Sequence, residues 1–221
     1  MQQEQARALF EKSTIRGYKL DCLIRYGPAK CSRILDASLA HLSRLAQEEE
    51  EPPVSPAGRL LYGHLLPALA YYLALRENGV TEEEAVETVD AELQRFARQE
   101  AASLHTLLRL PFRFTVFRAM ARRRIPRAYP PEAFGTQRQS APGAALAFTV
   151  HRCLYRDILH AHGADALCPA FCRAEQTAYN GLLPKIGFDR PTTLLEGDAC
   201  LFRFYKRYGA QAREEPPTAP F

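Results

Sequence analysis

The sequence has no Gly-x-Gly-x-x-Gly and no Walker pattern, so nothing in it announces a dinucleotide or a nucleoside triphosphate. It has no Gly-x-Ser-x-Gly elbow either, which sets aside the serine hydrolases built on that turn. No cofactor is expected. No apolar run approaches the roughly 18–20 residues of a membrane helix, and the longest candidate, Leu60 to Leu75, is broken by Gly63, His64 and Pro67. The N-terminal stretch MQQEQARALFEK is polar and charged, unlike a secretory signal. A cytoplasmic location with reduced thiols is therefore expected, and the even count of six cysteines is not read as a disulfide framework. No internal repeat is visible. From Ala101 to Pro131 there is no acidic residue, against seven arginines.

What is present fits a globular α+β chain. At 221 residues, 47% hydrophobic and 24% charged, it reads as one domain (1–221) with neither disordered nor fibrous character. A mainly helical part is expected over 1–125. One helix reads from Gln2 to Arg25, with Ala8, Leu9, Ile15, Leu20, Leu23 and Ile24 as its apolar positions, stopped by Gly27-Pro28. A second runs from Lys30 to Glu51 on Ile34, Leu35, Leu39, Leu42 and Leu45. The acidic run Glu48–Glu51 opposes the dipole at its end, where fraying is expected. Ser55-Pro56 starts a third helix that stops at Asn78-Gly79 and carries a stripe of Leu61, Leu65, Leu69, Tyr72 and Leu73. Thr81 and Glu84 make a capping box for a fourth, to about Leu104, with Val86, Val89, Leu93 and Phe96 inward. These two form a helical hairpin. A further helix spans Leu107 to Ile125, kinked or started near Pro111.

A loop is expected from Pro126 to Gly143, and then the period changes. Ala145 to Cys153 alternates as a strand, with Phe148, Val150 and Arg152 on one face. Tyr155–His162 and Ala164–Leu182 read as helices, the first ended by Gly163. Ile186–Leu195 and Ala199–Tyr208 read as strands joined at a Glu196-Gly197-Asp198 turn. The tail AREEPPTAPF reads as loose. The architecture is thus a helical N-terminal half followed by an antiparallel sheet with short helices on it, the sheet-containing part over 144–208.

Chemistry concentrates between Phe148 and Tyr205, where Cys153, Cys168, Cys172 and Cys200 lie close to His151, Glu175 and Arg190. A thiolate is a nucleophile and a metal ligand, and a nearby carboxylate or imidazole can move its protons. Cysteine is equally a common core residue. The four cysteines with nearby histidines are also a candidate zinc set, although they lack a Cys-x-x-Cys pair. The basic Leu107–Arg127 segment is an amphipathic helix with solvated arginines, a rim that steers an anionic substrate, or an anionic-surface contact. No nucleic-acid partner is expected. The Leu/Tyr stripe of the front helices serves either the core or a homodimer contact.

The order of motifs is specific. A strand ends in Phe148-Thr149-Val150-His151-Arg152-Cys153. Phe171-Cys172-x-x-Glu175 follows, then Phe188-x-Arg190-x-x-Thr193-Leu194-x-x-Gly197-x-x-Cys200-x-Phe202. With Leu66–Tyr72, Gly79–Ala85 and Leu110–Phe112 in the front half, this resembles the L-2-amino-thiazoline-4-carboxylic acid hydrolase family over about residues 10 to 207. The family's pattern has Asp at the position of Glu175, and Asp where this chain has Leu201. The resemblance implies a hydrolase that opens a small cyclic amidine or thioimidate ring in bacterial-type metabolism. Its implied catalytic set is Cys153, Cys172, Glu175 and Cys200. Arg190, His151 and Thr193 are implied to bind a small anionic substrate. The competing class is a non-catalytic domain that binds a small ligand in the same pocket.

Overall fold

The computed structural model describes residues 3–50, 53–140 and 144–207. Helix α1 (Gln3–Lys12) ends in a turn at which Ser13 Oγ donates to the Phe10 carbonyl at 2.7 Å. Helix α2 then runs from Tyr18 to Glu48. The first expected helix is therefore cut at Ser13, and its second part continues through Gly27-Pro28. Gly27 takes φ 71° and ψ 169°, a conformation open to glycine, and kinks α2 rather than stopping it. Pro28 begins the next helical stretch, where its missing N–H costs little. The break also changes which face is inside. Phe10, Ile15, Tyr18 and Cys22 are buried, while Leu20, Leu23 and Ile24, expected inside, are 64%, 47% and 74% exposed. Helix α2 ends at the first residue of the acidic run.

Ser55 caps α3 (Pro56–Leu60), accepting the Gly58 N–H at 2.8 Å. The helix passes through a π turn (Leu61–Leu65) into α4 (Leu66–Glu77). Pro67 has no N–H to offer the carbonyl of Gly63 four residues back. That carbonyl instead accepts the N–H of Thr14 at 3.1 Å, which ties the α1–α2 turn to this helix. Helix α4 is buried on nearly every side, Tyr71 and Leu75 completely, and packs against α2 and α5. Thr81 caps α5 (Glu82–Leu107) by accepting the Glu84 N–H at 3.2 Å.

Helix α6 (Arg113–Ala128) starts after Phe112, which is left-handed at φ 54°. The expected loop over 126–143 instead holds a short helix, α7 (Pro131–Phe134), and an edge strand, β1 (Thr136–Gln139). Thr-Gln-Arg-Gln has no apolar face to mark β1 in the sequence; backbone pairing with β2 (Ala144–Val150) makes it a strand. Helices α8 (Leu154–Ala161) and α9 (Cys168–Asn180) follow, with Gly163 at φ 62° and a 3-10 turn between them. β3 (Ile186–Asp189) and β4 (Cys200–Lys206) complete a sheet of order β1-β2-β4-β3, antiparallel throughout.

Two strand expectations are corrected. β2 stops at Val150, so Arg152 is exposed and pairs with Asp157 at 2.7 Å instead of facing inward. β3 and β4 are joined by residues 190–199 and not by a tight turn at Glu196–Asp198. The Thr193 carbonyl accepts the N–H groups of Glu196 and Gly197 at 3.1 and 2.8 Å. Pro191 cannot donate to a ladder, which suits an early end to β3. The C-terminal tail and Tyr208 lie outside the described residues.

The sheet's inner face stacks Phe148 on Phe202 (4.6 Å between centroids, 9° between planes), with Phe188 and Phe204 beside them. Helices α6 and α9 border this aromatic layer; α9 also lies along α5. A Cβ on Gly181, just past α9, would stand 2.1 Å from the Ala101 carbonyl oxygen of α5. That close approach requires glycine there. Among the described residues no helix is long and apolar enough to cross a membrane.

Candidate active site

Cys168, Cys172, Glu175 and Tyr179 recur at spacings of four, three and four along α9, so they share one face. Cys200 opens β4 opposite Val150, and Cys153 lies three residues beyond Val150 as the N-cap of α8. Arg190 follows β3 directly. The folding of α9 across the end of the sheet therefore gathers residues far apart in sequence around a cavity of about 240 Å³. Cys153, Cys172, Glu175, Arg190 and Cys200 all line it. All six cysteines are free.

Arg190 ties the group together. Its Nη1 donates to Glu175 Oε2 at 2.5 Å, and its Nη2 donates to the Cys172 carbonyl at 3.2 Å. The guanidinium carbon lies 5.6 Å from the centre of the Phe202 ring, in range for a cation–π contact. Tyr129 Oη donates to the other oxygen of Glu175 and lies 3.2 Å from Tyr179 Oη. Both carboxylate oxygens are thus held. The backbone N–H of Leu194 donates to Cys200 Sγ at 3.2 Å.

These contacts separate the thiols. The neighbouring Cys168 side chain lowers Cys172 to about 7; burial and Glu175 oppose the shift, while Arg190 and Arg173 assist it. The Cys172 side chain and burial push Cys168 up. Burial pushes Cys153 up to about 11, and the first-turn N–H groups of α8 only partly offset it. Cys200 is also raised by burial, against its bond from Leu194 and the charge of Arg190. Glu175 is raised by burial despite Arg190 and Tyr129. Burial works against the charge on Arg190, but Glu175 and the two nearby thiols leave it net raised. The site therefore pairs one readily ionised thiol with a carboxyl biased toward holding its proton, the kind of divergence that acid–base chemistry uses.

His151 and Thr193 are not among the residues lining this cavity. His151 is exposed, with Nε2 2.9 Å from Thr149 Oγ1. Thr193 holds the 190–199 turn through its carbonyl, and its Oγ1 accepts the Leu195 N–H at 3.3 Å. Tyr129, Tyr179 and His64 are additional residues at or beside the site. The place of Tyr179 on the Cys172–Glu175 face marks it in the sequence; Tyr129, in the proline- and glycine-rich stretch after α6, carries no such signal. Among the described residues no three His, Cys, Asp or Glu side chains are grouped so that they could hold a metal ion.

This α+β chain thus sets a thiol whose ionisation is favoured beside a half-buried carboxyl–arginine pair in one cavity. Residues 59–204 match the family model described as L-2-amino-thiazoline-4-carboxylic acid hydrolase. The chain belongs to this family, and the matched region contains every residue of the Cys–Glu–Arg cluster. No curated protein and no solved structure gives a significant match.

Proposed function

We propose that this chain hydrolyses a 2-amino-thiazoline-4-carboxylate-like cyclic amidine, or a closely related C–N or C–S bond, with Cys172 as nucleophile and Glu175 as proton carrier. The observation that carries the reading is the shared face of α9: Cys172, whose thiol is lowered, precedes Glu175 by three residues, and Arg190 bridges the two.

In this reading the Cys172 thiolate adds to the ring carbon between sulfur and nitrogen. The ring C–S bond breaks, its sulfur takes a proton and becomes a free thiol, and the carbon stays on Cys172 as an isothiourea. Water then adds to that carbon, Glu175 takes up and returns the proton, and the bond to Cys172 breaks. The product is an open-chain ureido carboxylate. Net, one water is consumed and Cys172 is regenerated. Arg190 meets the anionic end of the substrate by sharing the charge it now gives to Glu175. Cys153 and Cys200, raised and therefore mostly protonated, shape the cavity wall.

The test is incubation of the purified chain with 2-amino-thiazoline-4-carboxylate, with ring opening followed by mass spectrometry. The wild type is expected to convert it. Cys172→Ser is expected to abolish turnover, and Glu175→Gln to lower it by about 10²–10⁴-fold. Cys153→Ala and Cys200→Ala are expected to retain measurable activity. Full activity in folded Cys172→Ser would remove the nucleophile. Binding without turnover in the wild type would favour the competing class, a ligand-binding domain.

A further inference from the structure

A second cavity, of about 260 Å³, lies behind the first, between α5, α6, α9 and β4. Leu104 and Leu107 of α5, Phe117, Met120 and Ile125 of α6, and Phe204 of β4 give it an apolar wall. The two cavities share Glu100, Ala128, Glu175 and Ala178 in their linings. Ala128 and Ala178 offer only methyl groups on their part of this boundary, and the side chains of Glu100 and Glu175 make up the rest. Glu175 borders both spaces. Charge gathers at the rim, where exposed Glu100 and Arg124 stand.

A thiazoline carboxylate is one five-membered ring with two small substituents, and it needs only the first cavity. Neither cavity alone reaches the roughly 300–1,000 Å³ of a site for a larger organic ligand, but joined they do. The chemistry also fixes the direction of growth. A carboxylate beside an amidine meets its nitrogen, and a substituent on that nitrogen would continue past Glu175 toward Ala128, Ala178 and the apolar wall.

Resting on the hydrolase reading, we infer that the substrate of this chain is an N-substituted cyclic amidine carboxylate with a hydrocarbon arm. The arm lies in the second cavity, while the carboxylate and the reacting carbon remain beside Arg190 and Cys172. The apolar wall then selects the substrate, and the polar cluster acts on it.

The experiment compares 2-amino-thiazoline-4-carboxylate with its 2-hexylamino and 2-(hydroxyethyl)amino analogues. Affinity is measured by calorimetry on full-length Cys172→Ser, so that binding is read without turnover; kcat/KM is measured on the wild-type enzyme. The hexylamino compound is expected to bind at least about tenfold more tightly than the other two, because its chain leaves water for an apolar wall. Met120→Trp and Leu104→Phe, at positions lining only the second cavity, are expected to erase that preference while leaving the parent compound's affinity unchanged. Two fillers on different helices guard against one failing to fold, and melting curves confirm each. A hexylamino compound that binds no better than the parent overturns the inference, as does a preference that survives both fillers. If the hexylamino preference holds and the fillers erase it, yet no compound is hydrolysed, the cavity assignment stands and the hydrolase reading fails. If the parent is hydrolysed and the hexylamino compound is excluded, the reverse is true.

Discussion

Arg190 Nη1 donates to Glu175 Oε2 at 2.5 Å, and the two side chains are only 10% and 23% exposed. The pair joins the segment after β3 to the middle of α9, and with the Arg190 bond to the Cys172 carbonyl it holds the Cys172 turn of α9 against the sheet. Removing one partner strands the other in a poorly hydrated setting. Arg190→Met is therefore expected to cost about 2–3 kcal/mol of stability in urea denaturation, and Arg190→Met/Glu175→Leu to recover most of it.

The same pair has a pH signature. Glu175 is raised, so the folded state holds its proton more tightly than the unfolded chain does. The stability this contributes is complete below the ordinary carboxyl value and is lost as pH rises through the raised one. Losing the Arg190 charge moves Glu175 further up. The loss in Arg190→Met should thus grow from mildly acid to neutral pH, and a loss that stays flat over that window would disconnect the two groups.

Thiol labelling should rank the cysteines. Cys172, lowered to about 7, is expected to react first with iodoacetamide, with a rate midpoint near neutrality; Cys153, pushed up to about 11, should lag far behind. Peptide mapping of labelled sites reads the order directly. Cys168→Ala removes the neighbour that lowers Cys172 and is expected to move that midpoint upward without removing the labelled site. Uniform slow labelling would argue against a thiolate in the cavity.

Gly181 sits where α9 ends against α5, with no room for a Cβ beside the Ala101 carbonyl. Backbone cannot yield as a flexible side chain can. Gly181→Ala is expected to destabilise the chain by about 1–3 kcal/mol, the usual cost of overpacking, and to lower activity by shifting α9. Gly197→Ala serves as a control, since its nearest contact would be an ordinary 3.7 Å to the Thr193 carbonyl oxygen.

His64 lines the first cavity edge-on to Phe96, their centroids 6.1 Å apart, and burial lowers it to about 4. Its neutral form is the one the fold accepts. Stability is full above the unfolded value of about 6.5 and is lost as pH falls toward 4. His64→Leu is expected to gain about 2 kcal/mol over the wild type near pH 4.5 and little near pH 7.5, read as the difference between two denaturation series.

Where local chemistry sets the structure, the sequence was easy to read. Ser55-Pro56 and Thr81 cap helices because their hydroxyls accept specific N–H groups three residues on. Gly163 ends α8 in a conformation that glycine adopts readily. The cysteine-rich segment was legible through its resemblance to a family, and Cys153, Cys172, Glu175, Arg190 and Cys200 do share a cavity. Illegible features depend on partners distant in sequence. β1 is a strand because β2 lies beside it, and Tyr129 reaches the site because α6 ends facing α9. Leu20, Leu23 and Ile24 have a helical period but face outward, because the chain turns at Ser13, where Thr14 bonds to a carbonyl that Pro67 leaves free.

The hydroxyl-to-carboxyl contacts around Glu175 also have an optical consequence. The chain has ten tyrosines and no tryptophan, so its ultraviolet emission comes from phenol rings alone. Tyr129 is hydrogen-bonded to Glu175, and Tyr179 lies within reach of Tyr129. A phenol bonded to a carboxylate emits weakly, because its excited state passes the proton on. A ligand that draws Glu175 toward itself frees that phenol and brightens it. Tyrosine emission of the native protein is therefore expected to rise when a ligand that engages Glu175 is titrated in, and an unchanged emission at saturation would show that Tyr129 keeps its bond.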